Sequence, residues 1–276
     1  MISKIAIQGI QGSFHHQVAT EYFQNEDMVI ECDSFRKVME TLSLGLATHG
    51  VIALENSIAG TILPNYTLMD KYNTFIVGEH YVNINMNLLA LKGQKIEDLT
   101  EVHSHPIALL QCADFFDQYP NIKLVESSDT AKAAKNIKEN HLIGIGALAG
   151  DYAAKLYELN VLQPSVHTVK SNKTRFVILE ASNTRKVEKK INKASLKFEL
   201  DDTPGNLATV LNVINNCKLN LTKIQSLPII EKPFSYSFFI DVVFEKRKHY
   251  EKAKSLLEIM TLDFKVLGEY QSGNQN

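Results

Sequence analysis

The chain has 276 residues, 45% of them hydrophobic and 22% charged, with a formal net charge of −2. That length outgrows a single core and implies two or three domains, while the lack of any basic excess excludes a nucleic-acid or membrane-surface protein. No signal-peptide profile precedes the first strand pattern, no apolar run reaches spanning length, and Cys32, Cys112 and Cys217 show no disulfide or zinc spacing, so a reduced, cytoplasmic protein is expected.

Residues 4–8 read as a short buried strand, Gly9-Ile10-Gln11-Gly12 as a turn, and residues 14–23 as a helix with Ser13 at its N-cap. The glycine spacing is GxxG, so the dinucleotide fingerprint is absent; the free N–H groups of the helix start still point at whatever lies above the strand. Val29-Ile30 offers a second strand, and Ser34 caps a helix running to about residue 47. Residues 51–54 form a third strand, which ends in Glu55-Asn56-Ser57 and Ala59-Gly60-Thr61.

The apolar-rich segment 74–91 reads as the crossing to a second lobe. There Glu101-Val102-His103-Ser104-His105 ends a strand, and Pro106 opens a helix through residue 116. Leu124-Val125 leads through Glu126-Ser127-Ser128-Asp129-Thr130 into a helix over 131–137, and a strand over 142–146 precedes a helix over 147–157. This alternation predicts two doubly wound α/β lobes on parallel sheets around a cleft, an arrangement shared with solute receptors of periplasmic type.

The chain crosses back over 160–176, where Asn172-Lys173-Thr174-Arg175-Phe176 is a polar loop entering a buried strand. Alternation sends Thr174 and Phe176 to one face and Arg175 to the other. Thr174 then faces a pocket as a donor, and Arg175 either braces the loop or holds an anion bidentately. Residues 182–193 carry Arg185, Lys186, Lys189, Lys190 and Lys193 against Glu188 alone and read as a solvated linker. Over 194–270 the order is βαββαβ, the α+β ferredoxin-like arrangement, and a polar tail covers 271–276.

Ligands of open parallel sheets bind beyond the carboxyl ends of the strands, where the polar turns should collect. His103 and His105 alternate along a strand, but no acidic or cysteine partner stands at ligand spacing, so no metal site is expected. No GxSxG elbow marks a nucleophilic serine. Glu55 suits acid–base work or simply accepts hydrogen bonds from the neighbouring turn. Helix starts, hydroxyls, an amide and one arginine together describe a site for a small anion, most simply a carboxylate. The residues alone do not name the reaction.

Five ordered motifs bear a family resemblance: Gly9-x-x-Gly12-Ser13-Phe14, Glu55-Asn56-Ser57-x-x-Gly60, Ser104-His105-Pro106 with Gln111-Cys112, Asp129-Thr130-Ala131-x-Ala133-Ala134, and Asn172-x-Thr174-Arg175-Phe176. In this order they resemble those of prephenate dehydratases, and the βαββαβ unit looks like the ACT regulatory domain of such enzymes. The resemblance implies a catalytic region over 1–181, a linker over 182–193 and an ACT domain over 194–270. It also implies cofactor-free conversion of prephenate to phenylpyruvate in phenylalanine biosynthesis. Thr174 is then the donor at the departing hydroxyl, with Ser13, Asn56, Ser57, Gln111, Thr130 and Arg175 holding substrate. His105 and Glu55 are candidates for a proton relay, with a turn cap the slightly favoured role for His105.

The same resemblance implies L-phenylalanine as effector at Gly205, Asn206, Leu207 and Ala208 with Gln225 and Ser226, at an interface of a homodimer or homotetramer built through ACT domains. The chain departs from the family where Glu-Ser-Arg-Pro is replaced by Gln225-Ser226-Leu227-Pro228, which removes two charges from the effector region. Arogenate as substrate, or a binding protein without catalysis, are the alternative readings.

Overall fold

The computed structural model describes residues 4–24, 28–181, 190–229, 232 and 235–273. The expected linker therefore falls mostly outside the described residues, as does the end of the tail.

The chain begins β1 (Lys4–Gln8), α1 (Phe14–Phe23), β2 (Met28–Cys32), α2 (Phe35–Ser43), β3 (His49–Asn56), β4 (Gly60–Thr61), α3 (Leu63–Lys71) and β5 (Thr74–Asn83). It crosses at residues 84–86 into β6 (Asn87–Ala90), β7 (Glu101–Ser104), α4 (Pro106–Gln111), α5 (Ala113–Phe116), β8 (Lys123–Glu126), α6 (Thr130–Glu139), β9 (Ile145–Ala149), α7 (Asp151–Leu156) and β10 (Asn160–Gln163). It returns through β11 (Lys173–Ala181) and continues as β12 (Lys193–Glu199), α8 (Asn206–Asn216), β13 (Asn220–Pro228), β14 (Tyr236–Val243), α9 (Arg247–Met260) and β15 (Leu262–Tyr270).

Two lobes result, each on a mixed rather than a parallel sheet. In the first, β1 runs parallel to β2 and β3, but β11 is antiparallel to both β3 and β5. In the second, the order is β10-β6-β9-β7-β8, with β7 parallel to its neighbours and β6 antiparallel to β9 and β10. The reason is the double crossing: a strand that leaves a lobe and one that returns beside it must run in opposite directions. The two crossings are stitched together, since Ile84 N donates to Asn172 O at 2.7 Å and Val166 N to Met86 O at 2.8 Å.

Several elements differ from expectation. Residues 147–149 lie in β9, not in a helix. All three are fully buried: α6 covers Ala147 and Ala149 with Ala131, Ala133 and Ala134, while Leu148 enters the core on the opposite face. A strand buried on both faces reads as an unbroken apolar run, and here tertiary burial overrides alanine's helical preference. The helix after Pro106 breaks at Cys112 (φ −112°, ψ 7°) into α4 and α5. The sequence reading did not foresee β4, α3 or β10. Lys193, assigned to the solvated linker, is 2% exposed.

In the C-terminal part the strand order is β13-β14-β12-β15, antiparallel throughout, and α8 and α9 complete its core. Its sheet is not separate from that of the first lobe. β15 meets β5 in parallel at Gly268 and Ile76, so that among the described residues ten strands share one sheet. Gly268 is required there: an added Cβ would lie 2.5 Å from Ile76 Cβ and 2.7 Å from its carbonyl oxygen. No described helix is long and apolar enough to cross a membrane.

Candidate active site

Thr174 stands opposite Asn56 in the β11–β3 register, and Arg175 stands opposite Glu55. Alternation therefore divides these four side chains between two faces of the sheet. Thr174 and Asn56 turn toward the second lobe, while Arg175 and Glu55 turn toward the C-terminal part.

On the cleft side the amide of Asn56 organises the site. Its Oδ1 accepts from the backbone N–H of Ile58 (3.0 Å) and Ala59 (2.8 Å), which fixes Nδ2 as the donor end. Nδ2 then donates to Thr174 Oγ1 at 2.9 Å and to Asn172 Oδ1 at 2.6 Å. Asn172 in turn donates to Gln111 Oε1 at 3.3 Å, which carries the chain of contacts across the cleft to α4 of the second lobe. Ser57 closes the near edge, since its Oγ accepts from Lys173 N at 2.9 Å and donates to Ser171 O at 3.1 Å.

One consequence concerns a single proton. The Thr174 oxygen already accepts from Asn56, and no described residue accepts its hydroxyl hydrogen. The side chain is 6% exposed. Its hydroxyl hydrogen is thus left available to a ligand.

The helix starts lie opposite one another. Ser13 caps α1 by accepting from His16 N at 3.3 Å. Asp129, rather than Thr130, caps α6, accepting from Lys132 N at 3.0 Å, so Thr130 is the first helical residue. A Cβ added to Gly9 would lie 3.4 Å from Asp129 Oδ2 and 3.5 Å from Ser13 Cβ, which places the two helix starts face to face. The glycine turn is clamped from the second lobe, with Tyr157 OH donating to Gln11 O. Gly12 (φ +90°) has no room for a Cβ, which would sit 2.8 Å from the Tyr157 ring.

Three of the expected groups make contacts within the protein, and those of His105 match its capping alternative. Arg175 does not present its guanidinium to the cleft. The group is 1% exposed and donates from Nε to Glu79 at 2.7 Å, from Nη1 to Asp241 and to Glu55 at 3.3 Å, and from Nη2 to Tyr270 OH at 2.8 Å. Glu55 is paired with Lys223 and Arg175, and its partly exposed side chain lines a hollow with Asn56, Ser57 and Lys173. Burial alone would raise its pKa, but the Lys223 hydrogen bond and the Arg175 charge hold it below the ordinary carboxylate range, which suits an ion-pair partner and not a proton donor. His105 caps α4, its Nδ1 accepting from Ile107 N at 3.3 Å. His103 pairs with Glu101 at 2.8 Å.

Of the expected effector residues, Asn206 and Leu207 line a hollow of ≈ 110 Å³ with Asp201, Thr203 and Tyr236, among others. Gln225 and Ser226 lie on β13 outside that lining, and Gly205 (φ +89°) opens α8.

The residue reading missed Asn172 as a site group, although its position two before Thr174 already put both on one strand face. His15, unassigned from sequence, is a buried group whose Nε2 accepts from Ala53 N at 3.3 Å while its ring meets Phe176 edge-on at 4.9 Å. Burial pushes His15 down to about pH 3, so the folded protein holds it neutral while the unfolded chain takes up a proton near 6.5. The stability tied to neutral His15 is therefore complete above about pH 6.5 and is lost as pH falls from there toward 3, by about 1 kcal/mol per pH unit. Urea unfolding at pH 7 and pH 5 should show a smaller difference for His15→Gln than for the parent; equal differences would refute the assignment.

Comparison with known proteins completes the description. The family model for prephenate dehydratase matches residues 5–184. A bifunctional chorismate mutase/prephenate dehydratase of Aquifex aeolicus is 34% identical over 272 residues, covering 97% of this chain and 73% of that protein. A chloroplastic arogenate dehydratase/prephenate dehydratase of Arabidopsis thaliana is 33% identical over 279 residues, covering 97% and 72%. The fold is that of a prephenate dehydratase from Arthrobacter aurescens solved in complex with L-Phe (TM-score 0.85, 23% identity, covering 97% of this chain and 89% of that one).

Proposed function

The chain belongs to the prephenate dehydratase family and is an enzyme of that class, and from that premise we propose that Thr174 hydrogen-bonds the ring hydroxyl of prephenate as it departs. The bond from the ring to its carboxylate breaks to release carbon dioxide, its electron pair enters the ring, and the C–O bond on the opposite side breaks, the departing hydroxide taking one proton from solvent to leave as water as phenylpyruvate forms. The observation that carries the role is the Asn56 to Thr174 hydrogen bond, which leaves the hydroxyl proton as the free end. A threonine is too weak an acid to surrender that proton outright, so it acts as an oriented donor. Gln111 and Asn172 orient the ring, and the helix starts at Ser13 and Thr130 supply the positive ends that meet the substrate carboxylates.

The C-terminal βαββαβ unit is, on this reading, an ACT domain through which L-phenylalanine inhibits the enzyme. Its strand order and the L-Phe complex of the Arthrobacter aurescens relative support this. The hollow beside Asn206 and Leu207 is the candidate effector contact. β13 is the outer strand of the described sheet and offers the edge through which two copies pair into a homodimer or homotetramer. The three cysteines are buried and free, in keeping with a reducing, cytoplasmic setting.

The test is incubation of the protein with prephenate at neutral pH, following phenylpyruvate with and without phenylalanine. Formation of product that falls as phenylalanine rises is expected, and product indifferent to phenylalanine removes the regulatory part alone. The name of the Arabidopsis thaliana relative favours a second reading in which arogenate is also accepted. Parallel assay with arogenate decides it, because the specificity ratio is the quotient of the two kcat/KM values.

A further inference from the structure

The face of β3, β5 and β11 turned away from the cleft is bound to the C-terminal part by ion pairs, buried at Arg175, Glu79, Lys193 and Asp241 and partly exposed at Glu55. The lobe contributes one cation, Arg175, and two anions, Glu55 and Glu79. The C-terminal part contributes two cations, Lys193 and Lys223, and one anion, Asp241. Neither side is neutral alone, and the two sets balance when joined. The contacts fall on the residues adjacent to the site: Glu55 immediately precedes Asn56, and Arg175 immediately follows Thr174.

Lys223 lies in the middle of β13. Its ammonium reaches back to Glu55 and to Thr61 Oγ1 at 2.9 Å, holding both ends of the short β3–β4 hairpin, and lies 6.0 Å from the Tyr66 ring. Glu55 pairs with Thr61, and Asn56 with Gly60, in that hairpin, so the backbone held by Lys223 is the one that presents Asn56 to Thr174. Four residues further along β13, Leu227 packs into the core of the first lobe. Lys223, Gln225 and Leu227 therefore share the strand face that rests on the lobe.

We propose that Lys223 is a positioning residue for the reaction. Through Glu55 it sets the Asn56 amide, and with it the direction of the Thr174 hydroxyl, so that movement of β13 is read in the cleft as a change of turnover. This rests on the assignment of Thr174 as the donor. It identifies β13 as the element by which an effector on the C-terminal part reaches the site, through a shift of backbone rather than through a group that touches substrate. Coupling of this kind has the usual size of site-to-site effects, about five- to 150-fold.

The experiment is a double-mutant cycle on the full chain with Lys223→Met and Glu55→Gln, reading kcat, KM and the thermal midpoint, with Lys223→Arg as the conservative rescue. Each single change is expected to lower kcat at least about fivefold with KM within about twofold. The double variant should match the worse single one, because both act on one contact, and Lys223→Arg should recover most of the loss. Unchanged kcat in Glu55→Gln, which is isosteric and keeps the hairpin, overturns the proposal even if Lys223→Met does not fold. So do losses that multiply in the double variant, or losses confined to the thermal midpoint. The Thr174 assignment fails separately, by full turnover in Thr174→Ala.

Discussion

Replacing Thr174 with alanine is expected to lower kcat for prephenate by about 10²–10⁴, the usual contribution of a positioned proton donor. Thr174→Ser should retain most of the activity. The physical reason is the division of labour around one oxygen. Asn56 Nδ2 donates to Thr174 Oγ1 at 2.9 Å, and the remaining hydroxyl hydrogen is the group the cleft receives. Alanine removes that hydrogen but leaves the amide of Asn56 with Asn172 Oδ1 and, at 3.3 Å, Lys173 O as acceptors, so the fold should survive. The informative measurement is therefore kcat beside the thermal midpoint. A large loss of kcat with an unmoved midpoint supports the assignment; full turnover rejects it. Steady-state KM should change little, because a hydrogen bond that strengthens only as the C–O bond lengthens contributes to the transition state rather than to ground-state binding.

The second large effect is expected at Arg175, and it is an effect on stability. Its guanidinium sits between Glu79 and Asp241, whose side chains are 0% and 2% exposed, and a buried pair broken by removal of one partner costs about 3–5 kcal/mol. Truncation to methionine does not strand the two carboxylates equally. Glu79 keeps Lys193, at 2.8 and 3.0 Å, whereas Asp241 keeps the Ser195 hydroxyl, at 2.6 Å, and the more distant charge of Lys193. Asp241 is then the source of most of the penalty, and Asp241→Asn placed on top of Arg175→Met should restore part of the lost stability. Urea unfolding of the two variants measures this directly; a double variant less stable than Arg175→Met would contradict it.

The same network has a pH signature. Burial opposes ionisation of Asp241, but the charges of Arg175 and Lys193 and the Ser195 hydrogen bond hold its carboxyl below the ordinary range. The stability it contributes is present above the unfolded value, about 4, and is lost as pH falls through the lower folded value.

Much of this chain was legible without coordinates, for identifiable reasons. Ser13 and Ser34 are N-caps because a hydroxyl placed before an apolar periodic run satisfies local N–H groups, which is chemistry within a few residues. The opposite facing of Thr174 and Arg175 follows from the pleat of one strand, and the motif order carried the family. Long-range facts were not legible. Residues 147–149 look helical until β6, β7 and α6 enclose them, because burial on both faces is a property of the neighbours.

Arg175 shows the limit most clearly. Its residue type suits an anionic ligand as well as an internal carboxylate, and sequence does not say which anion will be nearest. Glu79 and Asp241 lie 96 and 66 residues away along the chain. Glu79 comes from β5, the neighbour of β11 in the same lobe, and only the docking of the C-terminal strands onto that lobe adds Asp241 on β14; desolvation there makes the pairing far stronger than any contact in an open cleft. Sequence alone determined the helix caps, the alternation of faces along β11 and the kinship. The tertiary structure decided which face meets substrate and which meets the C-terminal part, because that choice depends on what packs against the sheet.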